Sequence, residues 1–378
     1  MLNEVGIYYA TAGAGHKSAA LALEHAYKLS NKAKKVRAID VLDYTSKAYA
    51  KMCRKTYIEL AGKKPHLLGW AYDKTDTPWQ RERQRLILEA SQSRRFIKHL
   101  EDSTADLAIC THFLPSELIS WLRAKGRINT RQVVVVTDID VHAMWLCRNV
   151  EQYYVKQPQS KAYLEKLGVP GSIISPLGIP IDPVFAMPKD KQAMREKHGL
   201  LPDRTTILVS AGGYGVGPME VMLKEMLTLK HPAQIVAICG KSEELKAQAD
   251  RVARAAGREG NVIIHPVGFT KQMDEYMSAS DIVVGKPGGL TMSEALAKGL
   301  VYVVVKPIPG QEDRNAHHLM MRGAGLQCDD IEVLGFMLDE LIGNAPRLSR
   351  MQASALAFAH PYAAMNIVNS IDALPLAA

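Results

Sequence analysis

The sequence has few cysteines, and they show no pairing pattern. The five cysteines are an odd number, lie far apart and include no C-x-x-C spacing, so the sequence predicts neither a disulfide framework nor a zinc cluster. A reducing, cytosolic environment is favoured. The chain also lacks an apolar run of about 18 residues, the length that a membrane-spanning helix requires. Its first residues have no basic region ahead of a short apolar run, which is not typical of a secretory signal peptide.

Outside one segment the chain has no excess of charge. Its net charge is +8, and residues 47–98 alone hold 13 lysines and arginines against 5 acidic residues. We call residues 47–98 the basic segment. Aromatic residues are interleaved in it, namely Tyr49, Tyr57, Trp70, Tyr72, Trp79 and Phe96. A segment of this kind fits a solvated helical face or an anionic surface, but no recognised nucleic-acid reading module accompanies it, so nucleic acid is not expected as a partner.

The composition is that of a globular protein, with 47% hydrophobic and 23% charged residues over 378 positions. Apolar runs rich in valine and isoleucine alternate with longer amphipathic stretches, as in parallel strands covered by helices on both faces. The predicted strands are 4–9, 35–39, 106–110, 132–137, 152–155, 172–175, 206–210, 234–239, 261–265, 281–285, 301–305 and 326–328. The fold class is therefore α/β, with two doubly wound, Rossmann-like units.

Prolines mark the boundary between the two units. Four prolines between Pro176 and Pro188 exclude a long helix or a central strand there. We place the boundary near residue 185, which gives domains 1–185 and 186–378, with the last helix a candidate for packing back onto the first domain. Residues 43–101 are helical in propensity and longer than one crossover helix requires, so they read as an insertion in the first domain.

The first strand ends in a glycine-rich turn, Thr11 to His16, and a helical pattern follows directly. Glycines at such a turn let another molecule approach the backbone, and amides at a helix start favour negative charge. A plain tight turn with His16 on the surface fits equally well. The turn is not G-x-G-x-x-G, so a nicotinamide-binding fold is disfavoured.

Two further glycine turns follow strands of the second half. One contains Gly212 and Gly213 after Ser210, and the other is the sequence KPGGLTMSEA from Lys286 to Ala295. Their amides are suited to a diphosphate. Within the second turn, Thr291 either bonds a phosphate or caps the helix. Glu294, three residues on, either completes a capping box or takes the hydroxyls of a ribose.

A polar loop follows the next strand and leads into a helix, in the sequence PIPGQEDRNAHH from Pro307 to His318. A loop of this polarity at the carboxyl end of a parallel sheet lines the crevice where such sheets bind ligands. His317 and His318 are adjacent, so in a helix they point apart by about 100°. We interpret them as structural histidines. We interpret Arg314 in this loop as a surface arginine near a helix start. The less favoured alternative is that its positive charge binds an acidic sugar.

Eight short motifs follow one another along the chain. They are GAGH, THFLPS (111–116), VVTDIDVHAMW (135–145), GIPI (178–181), SAGGYGVGP, VGFT (267–270), KPGGLTMSEALAKG and PIPGQEDRNA. Together they resemble the monogalactosyldiacylglycerol synthases of plastids and the bacterial processive diacylglycerol glucosyltransferases. More distantly they resemble the N-acetylglucosaminyltransferase that makes the last lipid-linked peptidoglycan precursor. The resemblance runs from about residue 4 to residue 370. GAGH alone is not specific, whereas PGG-T-SEA together with GQE-NA is.

The resemblance implies a GT-B glycosyltransferase, in which two Rossmann-like domains face each other across a cleft. It assigns His16 as the catalytic histidine and Asp138 as the aspartate near it. The candidate donor-binding residues are Ser210, Gly212, Gly213, Phe269, Gly288, Gly289, Thr291, Glu294, Gln311, Glu312 and Asn315. Within this set Phe269 lies near uracil, the PGG turn holds the diphosphate, Glu294 binds ribose, and Gln311 and Glu312 read sugar hydroxyls. The candidate acceptor and membrane residues are Gly13, Gly15, Trp70, Trp79, Arg81, Arg83 and Arg85.

Asp138 and Asp140 also spell D-x-D, the metal-binding signature of another glycosyltransferase fold, and two carboxylates suit Mg²⁺ or Mn²⁺. They fall in the acceptor domain, while the glycine turns that neutralise a diphosphate fall in the other. We therefore expect no metal and no tightly bound cofactor.

The expected reaction is inverting transfer of a hexosyl group from a UDP-sugar to diacylglycerol. Diacylglycerol stays in the bilayer, so the basic segment becomes the expected contact with an anionic membrane, on the cytoplasmic face. Three alternatives stay open: a transferase for another lipid-linked acceptor, a UDP-sugar 2-epimerase, and a silent membrane-surface sensor of UDP-sugar. The sequence names neither the sugar, the number of sugars added nor the oligomeric state.

Overall fold

The computed structural model describes residues 1–11, 13–54, 65–80, 82–210, 218–257 and 260–374. The chain divides into two compact units. The first contains Met1–Pro183, Pro309–Gln311 and the chain from Tyr362 onward, and the second contains Val184–Ile308 and Glu312–Pro361.

A six-stranded parallel sheet forms the centre of the first unit, with strand order β2-β1-β3-β4-β5-β6. The strands are β1 (Leu2–Tyr9), β2 (Ala33–Asp40), β3 (Leu107–Cys110), β4 (Arg131–Val135), β5 (Gln152–Val155) and β6 (Ile174–Pro176). Helices in this unit are α1 (Ala14–Ser30), α2 (47–54), α3 (Pro65–Thr75), α4 (Glu82–Gln92), α5 (Arg94–Glu101), α6 (Phe113–Ala124) and α7 (Pro158–Lys166).

The second unit repeats this architecture, with strand order β12-β11-β10-β7-β8-β9. Its strands are β7 (Thr205–Ser210), β8 (Ala233–Ile238), β9 (Val262–Val267), β10 (Ile282–Gly285), β11 (Val301–Val305) and β12 (Gly325–Cys328). The helices that follow α7 along the chain are α8 (Lys191–Lys197), α9 (Met219–Met226), α10 (Glu243–Ala256), α11 (Met273–Ala279), α12 (Gly289–Ala297), α13 (Gln311–Met321), α14 (Leu334–Ile342), α15 (Ala345–Phe358) and α16 (Ala363–Asp372).

All twelve predicted strands occur, each with boundaries within two residues of the prediction. The α/β fold class is therefore confirmed. Both sheets are wholly parallel, so both faces of their central strands are buried, and buried strands show as continuous apolar runs in a sequence.

Helices cover both faces of the first sheet. On one face Val135 and Tyr154 pack with α1 and with α16, whose Ile367 and Val368 are fully buried. On the other face Val134 and its neighbours form a separate cluster with the segment around Trp145. Helix α16, the last helix of the described residues, therefore belongs to the first unit. Among the described residues, no helix is both long and apolar enough to cross a membrane.

Helices α2 to α5 carry the described part of the basic segment. Phe96, Ile97 and Leu100 of α5 are buried and fix it to the unit. Large apolar side chains of α2, α3 and α4 are instead exposed to solvent, namely Met52, Leu67, Trp70, Ile87 and Leu88. Residues 55–64 lie outside the described residues. The basic segment is therefore neither wholly packed nor wholly polar on its outer side.

Arg85, which the sequence predicted as a membrane contact, forms an ion pair within the first unit, and its contact with a membrane stays a prediction. Its Nε donates to Oε2 of Glu117 on α6 at 2.6 Å, and Glu117 is 4% exposed. Glu89, one turn farther along α4, is also 4% exposed. Burial, and then the neighbouring Glu117 carboxylate, raise the pKa of Glu89 to about 9. The two carboxyl groups and Arg85 thus form a buried polar contact between α4 and α6.

Replacing Glu89 with glutamine is expected to stabilise the protein at alkaline pH. The folded chain keeps Glu89 protonated up to about pH 9, whereas the unfolded chain ionises it near pH 4.5. Between these two pH values folding takes up a proton, so the free energy of unfolding falls as pH rises. Glutamine has no such cost. Urea unfolding should show a gain of about 2 to 4 kcal/mol at pH 8 and little gain at pH 5. A gain of equal size at both pH values would contradict the raised pKa.

Candidate active site

His16 lies at the carboxyl edge of the first sheet, in the first turn of α1. The turn before it begins at Thr11, whose amide and hydroxyl both donate to Asp40 at the end of β2. Gly13 is the N-cap residue, with extended backbone and no side-chain cap. The predicted strand–turn–helix arrangement around His16 is therefore present.

The contacts of His16 fix which of its nitrogens is basic. Its Nδ1 is 2.8 Å from the carbonyl oxygen of Thr111 and 2.9 Å from Oγ1 of Thr137. A carbonyl only accepts, so Nδ1 carries the hydrogen and Nε2 has the free lone pair. The Thr111 hydroxyl in turn donates to the His16 carbonyl at 3.0 Å, which ties the first turn of α1 to the end of β3.

Asp138 is the electrostatic partner of His16. It follows β4, is 6% exposed, and accepts a hydrogen bond from Nε1 of Trp145 at 3.1 Å. Burial lowers the pKa of His16 and raises the pKa of Asp138, and each group opposes the shift of the other. The structure thus brings together the two residues that the resemblance assigned to catalysis. At neutral pH His16 is a neutral base.

The PGG turn opens helix α12 at the carboxyl edge of the second sheet. Gly288 is the N-cap residue, and no side chain caps the helix. The carbonyls of the turn are held by hydrogen bonds, since Lys286 O accepts from the Tyr302 hydroxyl at 2.6 Å and from the Gly288 amide at 2.9 Å, and Pro287 O accepts from Nδ2 of Asn315 at 2.9 Å. The amides at the helix start are left for an anion.

Thr291 and Glu294 lie one turn apart within α12, and both are half-buried. The alternative prediction that they form a capping box is wrong, because the helix begins two residues before Thr291 and Gly288 occupies the N-cap. Ser293 uses its hydroxyl within the helix, donating to Gly289 O at 2.7 Å. Thr291 and Glu294 therefore share one side of the helix beside the PGG turn.

The GQE-NA motif spans the start of α13. The Glu312 carboxylate accepts the amide of Ile308 at 2.7 Å, and burial raises the pKa of Glu312. Asn315 is 1% exposed and is committed to the PGG turn. Gln311 is the first residue of the helix and is half-buried. Two of the three predicted donor-binding residues of this motif thus shape the neighbouring backbone.

Phe269, in the loop after β9, is 60% exposed, with Nζ of Lys241 lying 5.2 Å from its ring centroid. Ser210 ends β7, so Ser210, Phe269 and the PGG turn all follow carboxyl ends of the same sheet. Gly212 and Gly213 lie outside the described residues.

The two candidate membrane tryptophans differ. Trp70 on α3 is 63% exposed. Trp79 instead donates from Nε1 to the Leu167 carbonyl at 3.1 Å, and the Arg148 guanidinium carbon lies 4.9 Å from its ring centroid. Trp79 is thus held against the body of the unit. Arg81 and the side chain of Arg83 lie outside the described residues.

No group of three or more histidine, cysteine, aspartate or glutamate side chains in the described ranges is placed to hold a metal ion. Asp138 accepts from Trp145 through Oδ2 and from the Gln311 side-chain amide through Oδ1, and Asp140 is half-buried two residues on. The expectation that the reaction needs no metal stays a prediction.

Sequence reasoning missed three positioning groups, namely Thr137, Trp145 and Tyr302. Thr137 and Trp145 lie inside the motif that carried the resemblance, but only tertiary structure shows that they contact His16 and Asp138. Tyr302 sits in an apolar strand, where a tyrosine ordinarily signals packing alone.

Comparisons with known proteins match both halves of the chain. Residues 16–181 match the family model described as monogalactosyldiacylglycerol synthase, and residues 217–365 match that of the glycosyltransferase family 28 C-terminal domain. The two matches fall in order.

Curated relatives agree with the family models. A processive diacylglycerol β-glucosyltransferase of Staphylococcus carnosus is 36% identical over 259 residues, which are 68% of this chain and 64% of that protein. The corresponding protein of Staphylococcus haemolyticus is 33% identical over 258 residues, again 64% of its length. The match therefore spans just under two thirds of these relatives.

Solved structures share the fold. MurG of Acinetobacter baumannii superposes with a TM-score of 0.62 at 16% identity, covering 98% of this chain and 99% of that one. A UDP-GlcNAc 2-epimerase of Neisseria meningitidis gives 0.60 at 12% identity, covering 98% and 99%. The fold is thus GT-B, which transferases and epimerases share. With the curated relatives and both family models in agreement, residues 16–181 of this chain belong to the monogalactosyldiacylglycerol synthase family and residues 217–365 to the family of glycosyltransferase family 28 C-terminal domains.

Proposed function

We propose that the protein transfers a hexosyl group from a UDP-sugar to diacylglycerol at a membrane surface, with inversion at the anomeric carbon. The observation that carries the proposal is the pairing of a neutral, tautomer-fixed His16 with Asp138 in a chain of this family. Such a histidine is a general base suited to an alcohol acceptor.

In the proposed reaction, Nε2 of His16 takes the proton of the acceptor hydroxyl while the hydroxyl oxygen bonds to the anomeric carbon. The bond from that carbon to the UDP oxygen breaks, and UDP leaves with the electron pair. Asp138 stabilises the imidazolium that forms, because the two groups already interact in the resting protein. The same logic orients and stabilises histidine bases in other enzymes.

The leaving diphosphate needs donors that require no rearrangement. The amides at the start of α12 are such donors, because the first amides of a helix have no partner within it, and Tyr302 and Asn315 fix the preceding turn by donating to its carbonyls. Thr291 adds a hydroxyl on the same side. Glu294, which shares that side of α12, would bind the ribose hydroxyls.

Replacing Glu294 with alanine is expected to weaken UDP binding by about 1 to 3 kcal/mol, the cost of a lost hydrogen bond to a charged group. Glu340, on α14 of the same unit, is a matched control whose replacement by alanine should leave the affinity unchanged. Calorimetric titration with UDP measures both. Equal affinities of the two variants would leave Glu294 without a role in nucleotide binding.

The acceptor is insoluble in water, so the enzyme must approach a bilayer. Helices α2, α3 and α4 expose Met52, Leu67, Trp70, Ile87 and Leu88 within the segment that carries the chain's net charge. Basic residues attract an anionic leaflet, and exposed apolar side chains can enter its interface. The proposed location is therefore peripheral, on the cytoplasmic face of the membrane.

Activity is expected to persist in excess EDTA, because amides and hydroxyls hold the diphosphate in the proposed site. The measurement is the initial rate of glycolipid formation with and without EDTA. A loss of rate that only Mg²⁺ or Mn²⁺ restores would assign a metal role to Asp138 and Asp140 and would contradict this part of the proposal.

The proposal is tested by incubating the protein with UDP-glucose, UDP-galactose, UDP-N-acetylglucosamine or UDP-glucuronate and anionic vesicles that contain diacylglycerol or, in a parallel incubation, a polyprenyl-linked acceptor. Mass spectrometry of the extracted lipid should detect a glycosyldiacylglycerol with at least one of the four donors. Transfer only to a polyprenyl-linked acceptor, or conversion of UDP-N-acetylglucosamine to its 2-epimer, would replace the proposed activity.

A further inference from the structure

A second histidine packs against His16. The ring of His112 lies 4.5 Å from the His16 ring, centroid to centroid, at an interplanar angle of 74°. His112 is 4% exposed and also packs on Phe113 at 4.0 Å. This is an edge-to-face contact of the kind that fixes aromatic rings relative to each other. His112 belongs to the THFLPS motif, to which neither the mechanism nor the sequence reasoning gave a role.

His112 is itself held in one tautomer by the helix that it caps. Its Nδ1 accepts the Leu114 amide at 3.0 Å as the N-cap of α6, and its carbonyl accepts the Ser116 hydroxyl at 3.0 Å. An amide only donates, so Nδ1 of His112 carries no hydrogen and Nε2 carries it. Protonation of His112 at Nδ1 would place its N–H against the Leu114 N–H and would break the cap of α6. Burial and the nearby His16 accordingly lower the pKa of His112 well below its usual range.

We propose that His112 is a positioning residue for His16: its capped, neutral ring packs on the His16 ring and holds it with Nδ1 on the Thr111 carbonyl and Nε2 as the base. The inference rests on the proposed function, in which His16 is that base. The other groups around His16 are Thr111, Thr137, Asp138 and Trp145, whose ring is 6.1 Å from His16. Among these four, Asp138 is the group that ionises, so a neutral His112 leaves the pairing of His16 with Asp138 undisturbed.

The test uses His112→Asn, which removes the ring and keeps the cap, because asparagine is among the best N-cap residues. The kcat for glycolipid formation should fall by about 10- to 100-fold, as expected for a displaced catalytic group, while KM for the UDP-sugar changes little. Nitrogen-15 NMR of the histidine rings should show His16 with hydrogen on Nδ1 in the wild type and a mixture of tautomers in the variant.

Two further variants separate positioning from folding. His112→Phe keeps an aromatic ring against His16 and gives up the cap, so His16 should retain its tautomer and most of its kcat. Ser116→Ala, which alters the same turn of α6 without touching the ring, should behave as wild type. Wild-type kcat and an unchanged His16 tautomer in His112→Asn would overturn the proposal, and so would a tautomer mixture in His112→Phe.

The proposed function and this inference fail separately. Absence of glycolipid from the wild-type protein refutes the function, whereas the NMR tautomer of His16 reports on His112 without any turnover. A fixed tautomer that loosens in His112→Asn supports the positioning role whichever acceptor the enzyme uses.

Discussion

Replacing His16 with alanine is expected to lower the rate of glycolipid formation by about 10²- to 10⁴-fold, the usual contribution of a general base. The affinity for UDP should stay the same, because His16 belongs to the first unit and the proposed diphosphate site lies at α12 of the second. Initial rates with saturating vesicles, together with calorimetric titration of UDP, measure the two quantities.

The dependence of kcat on pH is an independent test of the role of His16. Burial lowers the pKa of His16, and the base is active when neutral, so kcat should rise with pH through a value below 6.5 and be flat near neutrality. His25→Ala is a matched control, since His25 lies two turns farther along α1 and pairs with Asp182. Unchanged turnover in His16→Ala would remove His16 from the mechanism.

Reversing three charges of the basic segment is expected to release the protein from anionic vesicles. Arg94, Arg95 and Lys98 are exposed on α5, and glutamates at these positions change the segment from +8 to +2. Each basic residue near an anionic leaflet contributes about 1 kcal/mol, so binding should weaken by about 100-fold or more. Sedimentation with vesicles of graded anionic lipid content, at low and physiological salt, measures the loss.

The matched control reverses the same number of charges on the second unit, at Lys230, Arg254 and Arg350, which are also exposed. It should sediment nearly as the wild type does. UDP affinity should be unchanged in both triple variants. Equal sedimentation of all three proteins at every lipid composition would mean that the basic segment is a solvated face and that membrane contact lies elsewhere.

The exposed apolar side chains have a control of the same design. Leu67→Ser with Trp70→Ser removes two of them from α3, while Val333→Ser with Phe336→Ser removes two from the second unit, where both are also exposed. Only the first pair should reduce vesicle binding at high salt, because insertion of apolar groups is not screened by ions.

The strands could be predicted because burial on both faces leaves a direct trace in the sequence. Val133 to Val136 read as one apolar run, and the structure buries all four. The glycine turns were equally visible, since a helix start next to a parallel strand favours glycine when a ligand must approach the backbone. The positions of His16 and the PGG turn at the carboxyl edges of the two sheets followed from that rule.

The ion pair of Arg85 could not be predicted, because its partner Glu117 is 32 residues away in the chain. A basic helix with alternating acidic residues is ordinarily a solvated face, and nothing in the local pattern marks Glu89 and Glu117 as buried. Charge counting treats every arginine alike, whereas the structure shows Arg85 in a partly buried ion pair.

The roles of His112 and Asn315 were hidden for a different reason. An N-cap is expected to be serine, threonine, aspartate or asparagine, so a histidine before α6 carries no capping signal. Asn315 was predicted to bind the donor on the strength of its motif, and the structure shows that it is buried and donates to a carbonyl of the PGG turn. Tertiary contacts, which a single sequence does not display, decide both.

The most direct test of the central claim is the anomeric configuration of the product. The protein is incubated with an α-linked UDP-hexose and diacylglycerol in anionic vesicles. Proton NMR of the purified glycolipid then gives the coupling constant between the anomeric proton and its neighbour on C2, which reports the configuration. Direct displacement by an alcohol activated by His16 predicts a β-linked glycosyldiacylglycerol, with one UDP released for each hexosyl group transferred. An α-linked product, free hexose or an epimerised UDP-sugar without glycolipid would contradict it.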